Sequence, residues 1–262
     1  MSVQKHISAF VVAALAGLIC LANSAQAQTW GDLEIDVSLK GDYKPAKINP
    51  DKDTAFCGKT MLVDERLTVD PKTKAIAYLV VNLLPGTTKL AVHPDYAKTA
   101  SEKPEITNKG CRFEPHISAV RTGQTLVLTN SDPVAHNVKA EPFDNPAFNE
   151  LLPPMGKTEK KFAKPESGAV KVDCSIHGWM GSYLFVKEDP YIGISDAKGH
   201  ISIKNLPTGE LTFQVWNYAN LPKITIDGKE TTLPRGGKWK TTIKPGVNKY
   251  KFEVDLKDVK LN

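Results

Sequence analysis

The chain has 262 residues, 41% of them hydrophobic, with 34 Lys and Arg against 29 Asp and Glu for a formal net charge of +5. That apolar content can fill a sizeable core and excludes a disordered chain, and a small positive surplus spread along the sequence excludes a nucleic-acid partner. Six histidines and four cysteines are few enough to weigh one at a time.

Lys5 is followed by the apolar run AFVVAALAGLICLA and then by NSAQAQ, with Ala25 and Ala27 as the small residues of a cleavage site. This reads as a secretory signal peptide over residues 1–27, cut near Ala27, and places the mature chain in the periplasm or outside the cell. The run is too short for a comfortable membrane span, and no later stretch approaches one, so no integral membrane segment is expected after cleavage. Cys20 leaves with the signal. Of the remaining cysteines, Cys57 (TAFCGKT) and Cys111 (NKGCRFEP) stand beside glycine with no metal-binding neighbour at short range, whereas Cys174 has His177 and Met180 close behind it. A Cys57–Cys111 disulfide is therefore expected, leaving Cys174 for other chemistry.

From Trp30 onward, apolar residues alternate with polar ones or form short runs, broken about every eight to twelve residues by Gly, Pro, Asn or Asp, which is the pattern of an all-β sandwich. The candidate strands are 32–40, 65–70, 75–84, 115–120, 124–130, 136–140, 158–164, 169–176 and 181–188. Segments 43–60, 85–108 and 141–156, rich in Pro, Asp, Asn and Lys, are expected to be loops with at most a short helical turn. The lysine cluster KTEKKFAK at 157–164 alternates with polar and apolar residues, as the solvated face of a strand does, with a docking patch for an acidic partner as the other reading. After Lys187 the style changes to DPYIGISDAKGHISIKNLPTGELTFQVWNY, with turns at DAKG and LPTG. The expected organisation is one unit over 28–187 and a second, smaller β-sandwich over 188–262, in which Asp196, Gly199, Pro207 and Gly209 set turns and Trp216 lies in the core or at the junction.

The segment DCSIHGWMG at 173–181 puts Cys174, His177 and Met180 three positions apart in turn. Taken singly, the residues have plain explanations: Cys174 as an inert buried thiol, Met180 as a thioether that packs, and, outside this segment, His136 as the cap of a turn. Together Cys174, His177 and Met180 are the donors that copper needs to change by one electron with little change of geometry, namely a thiolate, imidazole and a weak axial thioether. A second imidazole should come from another strand end, and His136 in TNSDPVAHNVKA follows a turn at the start of a strand. Gly178 and Gly181 are expected to keep the Cys174–Met180 loop tight.

In this order the residues Phe113 and Pro115, Gly123, Asn130 with Asp132, His136 with Asn137, and Cys174, His177 and Met180 make residues 111–187 resemble the ligand-bearing half of a cupredoxin, the plastocyanin and amicyanin class of blue copper proteins. The resemblance implies an all-β fold with a cupredoxin-like Greek-key β-sandwich, one copper per chain, and His136, Cys174, His177 and Met180 as its ligands. It also implies a supporting role for Asn137 in holding the two ligand loops together. Electrons would pass through the solvent edge of His177, with Trp179 on its rim, to a protein redox partner such as a cytochrome, dehydrogenase or oxidase. The chain departs from small members of that class in its long N-terminal part and in Ser175-Ile176, where a proline often precedes the histidine. The C-terminal unit resembles carboxypeptidase-regulatory-like and fibronectin-like β-sandwiches through its turns and core.

Other metals and centres fit less well. Thioether is a poor zinc ligand, a binuclear copper centre needs a second cysteine in the loop, c-type haem needs C-x-x-C-H, and a multicopper oxidase needs many more histidines. His116 follows Pro115 where the class has no ligand, and His93 and His200 read as loop and surface positions without a role. A centre with no open position for substrate points away from catalysis, so no enzyme activity is expected. The rival expectation is a copper-handling, structural or carbohydrate-binding protein of the cell envelope, suggested by the second unit, which a simple shuttle does not need.

Overall fold

In the computed structural model, which describes residues 28–86, 90–234 and 236–261, the longest strand is Trp30–Lys40. Its alternation has a direct consequence: Leu33, Ile35, Val37 and Leu39 all point to one face and are buried, because successive side chains of a strand leave on opposite sides. The signal peptide expected over residues 1–27 lies outside the described residues.

Trp30–Lys40 pairs antiparallel with His200–Pro207 and parallel with Gly246–Asp255. Lys223–Ile226 and Lys229–Thr232 complete this five-stranded sheet. A second sheet, in the order Ile192–Ile194, Val80–Leu83, Gly209–Trp216 and Lys238–Ile243, packs with it around Leu33, Ile35, Leu79, Phe213, Trp239 and Phe252. This arrangement corrects the expected split at residue 188. The second sandwich is not confined to 188–262; it takes Trp30–Lys40 and Val80–Leu83 from the N-terminal part, so that residues 105–187 are inserted in sequence between its strands. Alternation reports that a strand has a buried face, but it does not report which sheet completes that face.

The inserted unit is also a two-sheet sandwich. One sheet runs Lys157–Lys161, Thr125–Asn130, Glu105–Asn108 and Phe113–Glu114, and the other runs Phe148–Leu152, His136–Ala140, Val170–Asp173, Gly181–Lys187 and Ile117–Arg121. The chain crosses repeatedly between the two sheets, in the manner of Greek-key connections, and its last strand returns parallel to Ile117–Arg121. Phe113, Leu126, Leu128, Val138, Val172 and Leu184 fill the space between them. The fold is thus all-β, a cupredoxin-like sandwich joined to a second sandwich. Lys157–Lys161 is a strand with alternating exposure, as the lysine cluster predicts.

Two expected loops hold more structure than their composition suggests: Glu105–Asn108 and Phe148–Leu152 are strands. The short helical turns are present, as Thr54–Cys57 and as the 3-10 helix Pro94–Thr99. The sandwiches meet at Val80, Ile117 and Phe185, against which Trp216 packs. Its ring lies 4.9 Å from that of Tyr183 and 5.3 Å from that of Phe185. Of the two positions expected for Trp216, core or junction, it takes the junction.

Candidate metal centre

Val170–Asp173 pairs with Gly181–Lys187, the last matched residues being Asp173 and Gly181, so residues 174–180 form the connecting loop. The Cys174 amide donates to the Met180 carbonyl at 3.3 Å, and the Met180 amide to the His177 carbonyl at 2.9 Å. These bonds fold the loop on itself. The two glycines are not what tightens it: neither has a positive φ, and a Cβ at Gly178 would meet nothing within 4 Å.

His136 opens the strand His136–Ala140, which runs antiparallel to Val170–Asp173. The start of one strand and the loop beyond the other therefore fall at the same end of the sheet. Before His136 the Asn130 side chain closes the turn, donating to the carbonyls of Val134, Leu152 and Pro153 at 2.8, 3.0 and 3.0 Å and accepting from the Asp132 amide at 3.0 Å. Asn137 bonds to the Cys174 loop and to Asn149. Its Oδ1 accepts from the Ser175 amide at 2.7 Å and from the Cys174 thiol at 3.4 Å, while its Nδ2 donates to Asn149 at 2.6 Å.

Three of the four predicted donors converge in one buried pocket. Nδ1 of His136 lies 2.9 Å from Nδ1 of His177, and Sγ of Cys174 lies 3.7 Å from the latter. The donor atoms of this trio are all within 4.8 Å of one another, and both imidazoles are 0% exposed. Met180 is buried in the same core cluster.

The far nitrogens of both rings face carboxylates. His136 Nε2 is 2.9 Å from Asp132 Oδ2, and His177 Nε2 is 2.8 Å from Asp53 Oδ2. Asp132 also accepts from the amides of Gly110 and Cys111 at 2.6 and 2.8 Å. Burial works to raise its carboxyl, but the bonds from His136 and the two amides outweigh that and hold it below the usual carboxylate range.

With each Nε2–H donating outward, both Nδ1 lone pairs point at one another across 2.9 Å. Such an arrangement calls for a cation between them, either a proton or a metal ion. The electrostatics agree: burial opposes a charge on His136, yet its bonds to Asp132 and Cys174 carry the imidazole up to about 9. Burial likewise pushes the Cys174 thiol up, and its bonds to His136, the Asn137 backbone and His177 outweigh this and bring it down to about 7. Thiolate, the ligand form, is accordingly near at hand.

A metal ion fits these residues. Two nitrogens and a sulfur sharing one ion through bonds of about 2.0 to 2.3 Å stand roughly 3 to 4 Å apart, where the separations of 2.9 and 3.7 Å fall. The donor set of thiolate and two imidazoles, with a thioether in the same loop, suits copper better than zinc.

Trp179 packs on His177 with ring centroids 5.0 Å apart and donates to the Cys111 carbonyl at 3.1 Å. Cys111 is disulfide-bonded to Cys57 across 54 positions, with Cα atoms 5.6 Å apart, and Cys174 is free, as the sequence predicts. His116 stands apart from the trio, buried, with neither ring nitrogen hydrogen-bonded. His93 accepts from the Asp95 amide at 3.2 Å, and His200 pairs with Asp36 on the surface at 3.0 Å.

One expectation about the site fails. His177 does not present a bare edge to solvent, because Asp53 covers its Nε2 from 124 positions upstream. Sequence reading gave Asp53 no role and saw Asp132 only as part of a turn. The one signal that reached toward Asp53 was the predicted disulfide, which brings the segment before Cys57 to Cys111 and so to this pocket.

No family model and no curated protein matches the chain. Among solved structures, it is similar to a novel purple cupredoxin from Nitrosopumilus maritimus, at 24% identity over 32% of this chain and 100% of that one, with a TM-score of 0.28. A copper-containing nitrite reductase from Thermus scotoductus is similar at 21% identity over 40% of this chain and 25% of that one, with a TM-score of 0.30. An oxidized mutant of amicyanin is similar at 18% identity over 41% of this chain and 98% of that one, again with a TM-score of 0.30. Likenesses this partial leave the strand order and the pocket geometry to speak for the fold and the site.

Proposed function

We propose that the chain is an exported mononuclear copper protein of the type 1 class that carries one electron at a time. The observation that carries this reading is the convergence of the Cys174 thiol with the Nδ1 atoms of His136 and His177 in a buried pocket. Copper bound there would supply a one-electron couple. The protein's own part is to hold two imidazoles in a fixed tautomer, through carboxylates at their far nitrogens, and to keep water away from the thiolate. His136, Cys174, His177 and Met180 are the proposed ligands, and Asn137 holds their two loops in register. A set of donors bound so firmly from behind changes little between oxidation states, which keeps reorganisation small. The Cys57–Cys111 disulfide supports an oxidising compartment and hence export. A protein redox partner follows from the carrier role.

Burial of both imidazoles favours a carrier over a protein that hands copper on, since no donor is open to an incoming chelator. The test is to express residues 28–262, load the reduced protein with copper, oxidise it, and record visible and electron-spin spectra. An intense blue or green band with narrow copper hyperfine splitting, at one copper per chain, is expected, and Cys174→Ser should abolish it. A colourless wild type, or colour that survives in Cys174→Ser, would overturn the assignment.

A further inference from the structure

Asp53 reaches the pocket from a segment outside both sheets of the ligand-bearing sandwich. Its backbone adopts the left-handed conformation, φ 45° and ψ 37°, which Asp tolerates better than most residues. Its carbonyl accepts from the amides of Phe56 and Cys57 at 2.9 Å each, starting the short helix that ends at Cys57. Cys57 is bonded to Cys111, and the Cys111 amide donates to Asp132. A single covalent bridge thus stands between two carboxylates, one behind each imidazole.

We propose, resting on the copper reading above, that Asp53 is a positioning residue for His177, fixed by the Cys57–Cys111 bridge, and that its carboxylate sets the reduction potential and forms the outer face of the site. The geometry requires this order of contacts: His177 is 0% exposed, whereas the Asp53 side chain is 42% exposed. What solvent or a partner meets at this edge is a carboxylate bonded to the imidazole. A negative charge hydrogen-bonded to a ligand makes that ligand more electron-rich and favours the more positive metal ion, so Asp53 holds the potential down. Asp132 acts in the same sense on His136, which leaves the pair of imidazoles evenly backed.

The experiment is voltammetry and electron self-exchange, by NMR line broadening, on copper-loaded residues 28–262 as wild type, Asp53→Asn, Asp53→Ala and Asp51→Asn. Asp51 lies two positions away and carries the same formal charge without an assigned bond to either histidine. Asp53→Asn keeps the shape and removes the charge. It should cost about tenfold in preference for Cu(II) over Cu(I), at the low end of what such outer partners contribute, read as a potential higher by about 59 mV. Asp53→Ala should raise the potential similarly and also speed self-exchange by uncovering the ring, with the thiolate band retained in both. Shifts in both Asp53 variants no larger than in Asp51→Asn would overturn the proposal while leaving the copper reading intact. A wild type without the thiolate band would overturn both together. If Asp53→Ala does not fold, the isosteric Asn variant and its potential decide alone.

Discussion

The sandwich around Leu33 and Phe213 fills its centre with apolar side chains, and its buried polar groups are closed internally, as when Ser195 accepts from the Leu79 amide and donates to the Ile76 carbonyl at 2.8 Å each. The sandwich around Val138 gives up one end of its core to His136, Asn137, Cys174 and His177 and leaves two ring nitrogens facing each other. Burying ionisable groups side by side costs free energy even when each has a partner. One sandwich closes its buried polar groups on its own backbone, whereas its neighbour, made of similar strands, sets two imidazoles and a thiol against one another, and it is there that we propose the function lies.

Mutations can separate the two. Phe213→Ala should lower stability by about 3 to 5 kcal/mol, the usual cost of a large cavity in a fully buried core, with the copper spectrum unchanged below the unfolding transition; denaturant titration followed by both far-ultraviolet and visible signals would show this. A spectrum that changes along with stability would mean that the sandwiches are not independent in function. In the other unit, replacing Cys57 and Cys111 together by Ser should cost about 4 kcal/mol in the chain-entropy model for a loop this long. It should also raise the reduction potential, since the bridge anchors the segment that bears Asp53.

Acid should act through His116. Burial lowers its imidazole to about 4, and the nearest carboxylate, Glu65, stands 3.9 Å away and is itself raised by burial. The unfolded chain takes up this proton near pH 6.5 and the folded chain only near pH 4, so stability is full above the first value and falls as pH drops toward the second. The loss attributable to this residue is about 3 kcal/mol. His116→Phe should remove that share of the acid limb in unfolding midpoints measured from pH 7 to pH 4, and an unaltered pH profile would refute the assignment.

Asn137→Ala makes the smallest change in stability and the sharpest contrast. About 1 kcal/mol is expected in the folding equilibrium, but copper affinity, by competition with a chelator, should drop by about tenfold to a hundredfold. Equal and small effects on both would mean that Asn137 packs the loop without supporting the site.

Much of this was legible in the sequence because it is local. The strand predicted at 136–140 has those bounds in the structure, and the spacing of Cys174, His177 and Met180 lies within one loop, where sequence distance limits spatial distance. Asp53 was not legible, since nothing in DKDTAFC singles out one acidic residue until the disulfide has placed the segment. The sharing of strands between the sandwiches was hidden for a related reason: Leu33, Ile35, Val37 and Leu39 advertise a buried face equally well in either unit. The role expected of Gly178 failed because hydrogen bonds from Cys174 and Met180 already close the loop.

The position of Trp30–Lys40 between His200–Pro207 and Gly246–Asp255 also fixes an order of events during synthesis. A chain made from its N-terminus presents this strand well before the two strands that flank it. Throughout that interval most of its hydrogen-bonding groups wait for their partners, although Ser38 and Leu39 already meet residues 74 and 75 and its apolar face already has Leu67, Ile76 and Leu79 to pack on. The second sandwich therefore closes only once Gly246–Asp255 has been made, and a polypeptide interrupted before that strand keeps an open edge on which other chains can pair.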